Sequence, residues 1–499
     1  MAQDPKADAG GGASAVAERY RTGRVLKMAI VAALGGFLFG FDSAVVNGAK
    51  QAIEDKFNLA NDDIWFFSAI GLVVSVALLG SAVGAWFAGP LANKYGRRRV
   101  MVIAAALFLL AAFGQGFPFG VLDLVFWRFV GGAGIGVASV IAPMYIAEVA
   151  PAALRGRLGS LQQLAIVTGI FTSALTNYVL LNAAGGESAN APLWGLEAWQ
   201  WMFLVMVIPA VVYGGLALRI PESPRYLVSI GKDEEAAEIL GSIIEGDQHG
   251  TVAEIKQTLA GEHKPRFRDL RGAALGLHPI VWIGIGLSVF QQFVGINVIF
   301  YYSNTIWSSV GLGESEAFLI TLITNTTNVV VTFVAIALVD KIGRKPLLLI
   351  GSVGMAVSLA AMAVIFATGP TCTQAILGTV SGCDEASEIG EIYLPGIAGP
   401  AAVVFANLYV VFFGVAWGPV VWVLLGEMFP NRLRAAALGV AAAAQWIANF
   451  IVSETFPTLA ERGLGFAYGI YTVMAVLSFF FVVKFIKETK GKSLESMTG

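Results

Sequence analysis

With 57% hydrophobic and 13% charged residues and a mean hydropathy of +0.73, a chain of 499 residues has too few charged side chains to cover a soluble domain of its size. A formal net charge of −2 excludes a global basic field for nucleic acid, and the three scattered histidines (His249, His263, His278) form no metal-type cluster with the two cysteines. What remains is an integral membrane protein, with no nucleophile–base pair or metal constellation to support an enzyme and no cofactor implied.

In chain order, residues 1–24 are Ala, Gly and charge, with no apolar core leading to a cleavage site, and read as a disordered cytoplasmic tail without a cleaved signal. Twelve apolar stretches follow, most of them long enough to cross a hydrocarbon core of ~30 Å. They lie near Val25–Ala49, Trp65–Gly89, Val100–Phe117, Val121–Ala147, Leu158–Leu181, Trp199–Arg219, Pro279–Trp307, Ala317–Val339, Pro346–Ala367, Gly396–Gly426, Ala435–Phe456 and Leu464–Ile486. Lipid offers the backbone no other partner, so each must be a helix. The fold class is an all-α polytopic membrane protein. One six-helix bundle spans residues 25–220, a cytoplasmic linker residues 221–278, a second bundle residues 279–486, and a cytoplasmic tail residues 487–499. In the linker, Lys232–Ile244 and Thr251–Leu259 carry charges interleaved with apolar residues at helical spacing and predict short amphipathic helices.

Two phrases recur between the halves. Leu91–Arg99 (LANKYGRRR) returns 247 residues later as Leu338–Lys345 (LVDKIGRK), and Glu148, Pro151 and Arg155 return at the same spacing as Glu427, Pro430 and Arg434. With the N-terminus inside, 28 of the 32 Lys and Arg fall in cytoplasmic tails or loops; Lys50, Lys56 and Arg462 lie outside and Arg128 lies within a span. That asymmetry orients the chain with both termini in the cytoplasm of a cell membrane.

Asp42 and Arg128 are the clearest ionisable groups deep in the first six spans. A lone charge there costs at least ~2.5–3.5 kcal/mol, so each needs a partner, and each is the obvious candidate for the other. They read either as a proton site, with Asp42 alternating between a carboxylate held by Arg128 and a neutral acid, or as a permanently ionised structural pair. The second half offers neutral groups instead: Gln291, Gln292 and Asn297 in Phe290–Asn297 (FQQFVGIN), then Asn325, Asn328, Gln445, Trp446 and Asn449. On an unbroken helix Gln292 and Asn297 stand about 140° apart, but Gly295 between them permits the unwinding that lets both face one cavity. Gly418 and Pro419 give the tenth span the same freedom, with Trp417 and Trp422 on either side of the break. Amides that both donate and accept, beside indole faces, suit an uncharged, hydroxyl-rich ligand.

Seven motifs carry a resemblance: Gly96–Arg98 (GRR), Pro221–Arg225 (PESPR), Gln291–Asn297 (QQFVGIN), Asp340–Pro346 (DKIGRKP), Trp417–Trp422 (WGPVVW), Glu427–Pro430 (EMFP) and Glu488–Gly491 (ETKG). From about Val25 to Leu494 the chain resembles the sugar porter family of the major facilitator superfamily. The resemblance implies two pseudo-symmetric six-helix bundles, alternating access and a monosaccharide held mainly by the second bundle. It implies sugar contacts from Gln163, Gln291, Gln292, Asn297, Asn328, Trp422, Gln445 and Trp446, with Phe39 beside them. It further implies cytoplasmic ion-pair networks of Arg97, Glu148, Arg155, Glu222 and Arg225 in one half and Arg344, Glu427 and Arg434 in the other, locking the outward-facing state. Where the family usually has Asp, this chain has Asn93, so the lock of the first half is expected to be the weaker.

An acid at Asp42 resembles the proton-linked members. Ile170 and Phe300 look more like the hexose carriers than the xylose symporter. The expected function is therefore proton-coupled symport of a monosaccharide, glucose first and xylose second, by a chain expected to work as a monomer. A passive facilitator and a non-transporting sugar receptor are the alternatives. Cys372 and Cys383 fall in the predicted external loop between spans nine and ten, as a disulfide or as two free thiols. Glu454, near the outer end of the eleventh span, has no role assigned.

Overall fold

The structure, a computed structural model, describes residues 19–59, 63–64, 67–150, 155–261, 270–272, 274–310, 312–373, 392–429 and 433–489. Twelve helices long and apolar enough to cross a membrane lie among them. In the first half these are Thr22–Phe57, Ala69–Tyr95, Arg97–Gly116, Val121–Val149, Leu161–Ala183 and Ala198–Ala217. In the second they are Pro279–Tyr301, Glu314–Val339, Arg344–Thr368, Ala398–Leu425, Ala437–Glu461 and Leu464–Phe485. All twelve hydropathic stretches thus form helices, and they differ from the sequence reading mainly at their ends. The first span continues beyond Ala49 because Lys50 and Glu54, four residues apart and 3.3 Å apart, carry the helix past its apolar run. The second starts at Ala69, where the Ser68 hydroxyl accepts from the Gly71 N–H and caps the helix.

Packing repeats between the halves as the two recurring phrases lead one to expect. The first span lies along the fifth, the second along the fourth and the third along the sixth; the seventh lies along the eleventh, the eighth along the tenth and the ninth along the twelfth. Small residues permit the approach: a Cβ on Gly132 would stand 1.9 Å from the Ala77 carbonyl oxygen, so the second and fourth spans meet backbone to backbone. The halves join through the second span on the eleventh and the fifth on the eighth, again a symmetric pair.

Between the halves, helices Pro224–Ser229, Asp233–Gly241 and Gln248–Gly261 occupy the linker, one more than the charge pattern gave. They dock on the first half, where Tyr145 donates to the Pro221 carbonyl (2.9 Å) and Tyr226 to that of Lys94 (3.2 Å). The expected 24-residue tail ends earlier: Arg19–Tyr20 pairs in a short antiparallel ladder with Ile244–Glu245, and the first helix begins at Thr22. Residues 1–18 and 490–499 lie outside the described residues. So does Cys383, while Cys372 is disulfide-bonded.

Candidate functional site

The seventh span breaks where the sequence placed its weak point. Helix Pro279–Phe293 stops, Gly295 adopts φ +84°, and a new helix runs Ile296–Tyr301. An L side chain at Gly295 would be strained by that φ and would also meet the Tyr471 ring at 2.7 Å. Across the break the amides meet: Asn297 Nδ2 donates to Gln292 Oε1 (2.5 Å), Gln292 Nε2 to Gln291 Oε1 (3.3 Å), and Gln291 Nε2 to the carbonyls of Trp417 (2.9 Å) and Gly418 (3.2 Å). This relay ties the seventh span to the tenth.

The tenth span departs from expectation. Its irregularity is a π-helical turn at Phe413–Trp417, through which the helix runs on into Gly418–Met428, so the span is widened just ahead of Pro419 and is not broken. Trp417 is fully buried and donates to Leu348 O (3.1 Å) and Ser352 Oγ (3.0 Å) of the ninth span. Trp422, in contrast, is 42% exposed. The ring of Phe39 on the first span lies 5.6 Å from that of Trp446 on the eleventh, an aromatic contact between the two bundles. Gln445 keeps a buried Oε1 with no donor, a free acceptor for a ligand hydroxyl. Gln163 and Ile170 are half-buried on the fifth span, and Asn328 is buried beside Gly414 of the tenth. Phe300, one turn after Asn297, lines a small cavity with Asn47, Asn177, Asn304, Thr321 and Asn325.

Asp42 and Arg128 meet inside the first bundle, both almost wholly buried, with Nη1 3.7 Å from Oδ1. The guanidinium is held chiefly by backbone: it donates to the carbonyls of Asp42 (3.0 Å), Val73 (3.2 Å) and Val74 (3.4 Å). Asp42 Oδ1 takes a long bond from Gln115 Nε2 (3.5 Å), and Oδ2 has no donor. Such a carboxyl is not pinned by its cation, so protonating it breaks no short ion pair. Gln115, a lone amide in an apolar third span, is the residue the sequence reading passed over.

At the end carrying the basic loops, Gly96 (φ +89°) and Gly343 (φ +105°) start the third and ninth spans in the same way. Glu222 accepts from the N–H groups of Arg97 (2.9 Å) and Arg98 (3.2 Å), and Glu488 from those of Arg344 (3.1 Å) and Lys345 (2.9 Å). Each carboxylate caps a helix N-terminus, where the macrodipole favours negative charge. Glu488 stood in a motif but had no role in the sequence reading. Arg97 also grips Glu148 through two bonds of 2.8 and 2.7 Å, both partners about nine-tenths buried, and its Nη1 reaches Ala92 O as that of Arg344 reaches Val339 O. These described pairs lie within one half each. Arg225 is half-buried, Asn93 is exposed, and the side chains of Arg155, Asp340, Glu427 and Arg434 lie outside the described residues.

At the opposite end the halves are in contact. The Asn304 N–H donates to Asn47 Oδ1 (3.2 Å), Lys50 Nζ stands 5.6 Å from the centre of the Tyr302 ring, and Ser75 donates to Glu454 (2.7 Å). None of Asn47, Asn304 or Ser75 was singled out by the sequence, since small polar residues in a span read equally well as packing.

Comparison with known proteins agrees with this geometry. The family described as "Sugar (and other) transporter" matches residues 28–499. The chain is 55% identical to a glucose transport protein of Synechocystis sp. over 95% of its own length and 97% of that protein's. It is 38% identical to the D-xylose-proton symporter of Escherichia coli (strain K12), with 96% of each covered. The inward-open xylose transporter of E. coli superposes with a TM-score of 0.76 at 35% identity, covering 95% of this chain and 99% of that one. The duplicated bundles, the broken seventh span and the matching basic loops therefore have one source: the chain belongs to the sugar (and other) transporter family and has the major facilitator fold.

Proposed function

We propose that this protein carries a monosaccharide, D-glucose in the first place, across the cell membrane together with a proton by alternating access. The observation that carries the reading is the pairing of two unlike sites: a neutral amide relay around a helix break in the second bundle, and in the first a buried carboxyl not pinned by its cation, which backbone carbonyls hold. The relay, with Phe39, Gln163, Asn328, Gln445 and Trp446, offers donors and acceptors for sugar hydroxyls and rings for the C–H face. Trp422, Ile170 and Phe300 belong to the same proposed set by family resemblance, Trp422 from an exposed position. The proton is proposed to reside on Asp42, with Arg128 as its counter-charge. D-glucose is favoured by the 55% identity with a glucose transport protein; the 38% identity with a D-xylose-proton symporter makes xylose the second reading.

The basic end is assigned to the cytoplasm, as the placement of Lys and Arg requires. In the cycle, sugar and proton enter from outside, and the outer ends close through the contacts of Asn47, Lys50 and Ser75 with the second half. The cytoplasmic ends then part, taking the Arg97–Glu148 and Arg344 clusters with their own halves. The chain is proposed to act as a monomer, because each site lies within it.

Adding glucose to a lightly buffered suspension of vesicles containing the protein should turn the external medium alkaline in step with uptake of labelled sugar. Uptake without any pH change would overturn the symport reading in favour of a passive carrier.

A further inference from the structure

Glu454 is an acid of the eleventh span, only 8% exposed, at the seam between the halves. Ser75 of the second span donates to its Oε2 at 2.7 Å, the backbone N–H of Ser68 at the start of that span also donates to the carboxyl, and a Cβ on Gly71 would stand 3.1 Å from both of its oxygens. Residues 71 and 75 lie on one face of their helix, so this turn of the second span forms a wall over the carboxyl. Among the described residues no Lys or Arg pairs with it. The titratable groups of the elements packed around it are otherwise engaged or uncharged. On the first span, Lys50 is paired with Glu54 at 3.3 Å and lies over the Tyr302 ring, and Asp42 is beside Arg128. The Tyr302 hydroxyl, within electrostatic reach of Glu454, donates to Ser453 O (2.7 Å), Tyr301 of the seventh span and Tyr468 and Tyr471 of the twelfth are further titratable side chains on elements packed against the eleventh, and residues 69–81 of the second span carry no ionisable side chain.

We propose that Glu454 is a second proton-linked carboxyl, which binds its proton as the outer ends close and so makes closure sensitive to the pH outside. This rests on the symport reading above. Enclosed here with neutral donors and, among the described residues, no cation, the carboxyl enters the closed arrangement as the neutral acid. Parting of the second and eleventh spans replaces the Ser75 hydroxyl by water and lets it ionise. External acid therefore favours closure, and external base favours the open outer end.

The same turn also links the two proton sites. Val73 and Val74, in the same turn, supply carbonyls that hold Arg128, which in turn faces Asp42. Any shift of the second span away from Glu454 moves the acceptors of the Asp42 counter-charge.

Sugar–sugar exchange in vesicles, measured against external pH in an Asp42→Asn background, isolates Glu454. The single variant should still show exchange that declines as the outside becomes alkaline, and adding Glu454→Gln should remove that decline while exchange persists, since glutamine still accepts from Ser75. Ser75→Ala, also in the Asp42→Asn background, should move the midpoint of the decline to higher pH, a change that a purely structural contact would not produce. A pH profile of Asp42→Asn that is already flat, or one unaltered by Glu454→Gln, overturns the inference. Accumulation that survives Asp42→Asn would instead overturn the assignment of the coupling proton to Asp42, and uptake without any pH change in the parent chain would overturn the symport reading itself, so the failures are distinct.

Discussion

Asp42→Asn should abolish accumulation of sugar against its gradient while leaving exchange of labelled for unlabelled sugar intact. Asparagine keeps the shape of aspartate, still accepts from Gln115, and is permanently neutral, so it reproduces the protonated state and removes the ability to give the proton back. Arg128 does not lose its footing, because three backbone carbonyls hold it independently of the carboxylate. This is why the variant is expected to fold and cycle. The loss is large in the coupled assay: a pH gradient of one unit is worth about 1.4 kcal/mol per proton, enough for roughly tenfold accumulation, and the variant should fall to an inside-to-outside ratio near unity. A nearly silent substitution would show that the pair is structural. Arg128→Leu is a harsher change, since it strips three carbonyl contacts as well as the charge, and tests folding more than coupling.

The second large effect is expected at Gln292, the centre of the amide relay. It accepts from Asn297 and donates to Gln291, so Gln292→Ala orphans a donor on one side and an acceptor on the other, besides any bond it makes to sugar. Where the displaced relay and the missing amide take hydrogen bonds from the sugar, a loss of about 1–3 kcal/mol predicts a rise in the half-saturation concentration of roughly five- to 150-fold. The maximal rate should change far less, because nothing in the relay belongs to the contacts that join the halves. Measuring KM and maximal rate of exchange separates these: a KM within about twofold of the parent chain would remove the relay from the binding site.

How far the sequence foretold this arrangement differs between its parts, for physical reasons. The twelve spans were legible because hydrocarbon admits only one backbone solution, and hydropathy reads length directly. Their ends were less so: at Lys50 and Glu54 the helix outlasts the apolar run that revealed it. The meeting of Gln292 and Asn297 could be foreseen because a single glycine controls it, and Gly295 takes the left-handed φ that such a break needs. The irregularity of the tenth span was foreseeable at Gly418 and Pro419, but its form, a π-turn at Phe413–Trp417 just ahead of the proline, was not. Asp42 and Arg128 could be paired by cost alone, but that backbone carbonyls outbid the carboxylate for the guanidinium is a three-dimensional fact. Glu222 and Glu488 stood in recognisable motifs, yet capping two symmetric helices is visible only once the chain has brought them to Gly96 and Gly343. Glu454 was a conspicuous oddity in the sequence and gains meaning only from the second span opposite.

The central claim, that a neutral-sugar site and a buried proton site work as one device, is tested most directly in vesicles containing the purified protein with an imposed inside-alkaline pH gradient. The account predicts that labelled glucose rises inside above its outside concentration and that the excess collapses when a proton ionophore removes the gradient. Equilibration to equal concentrations, unaltered by the ionophore, would contradict it.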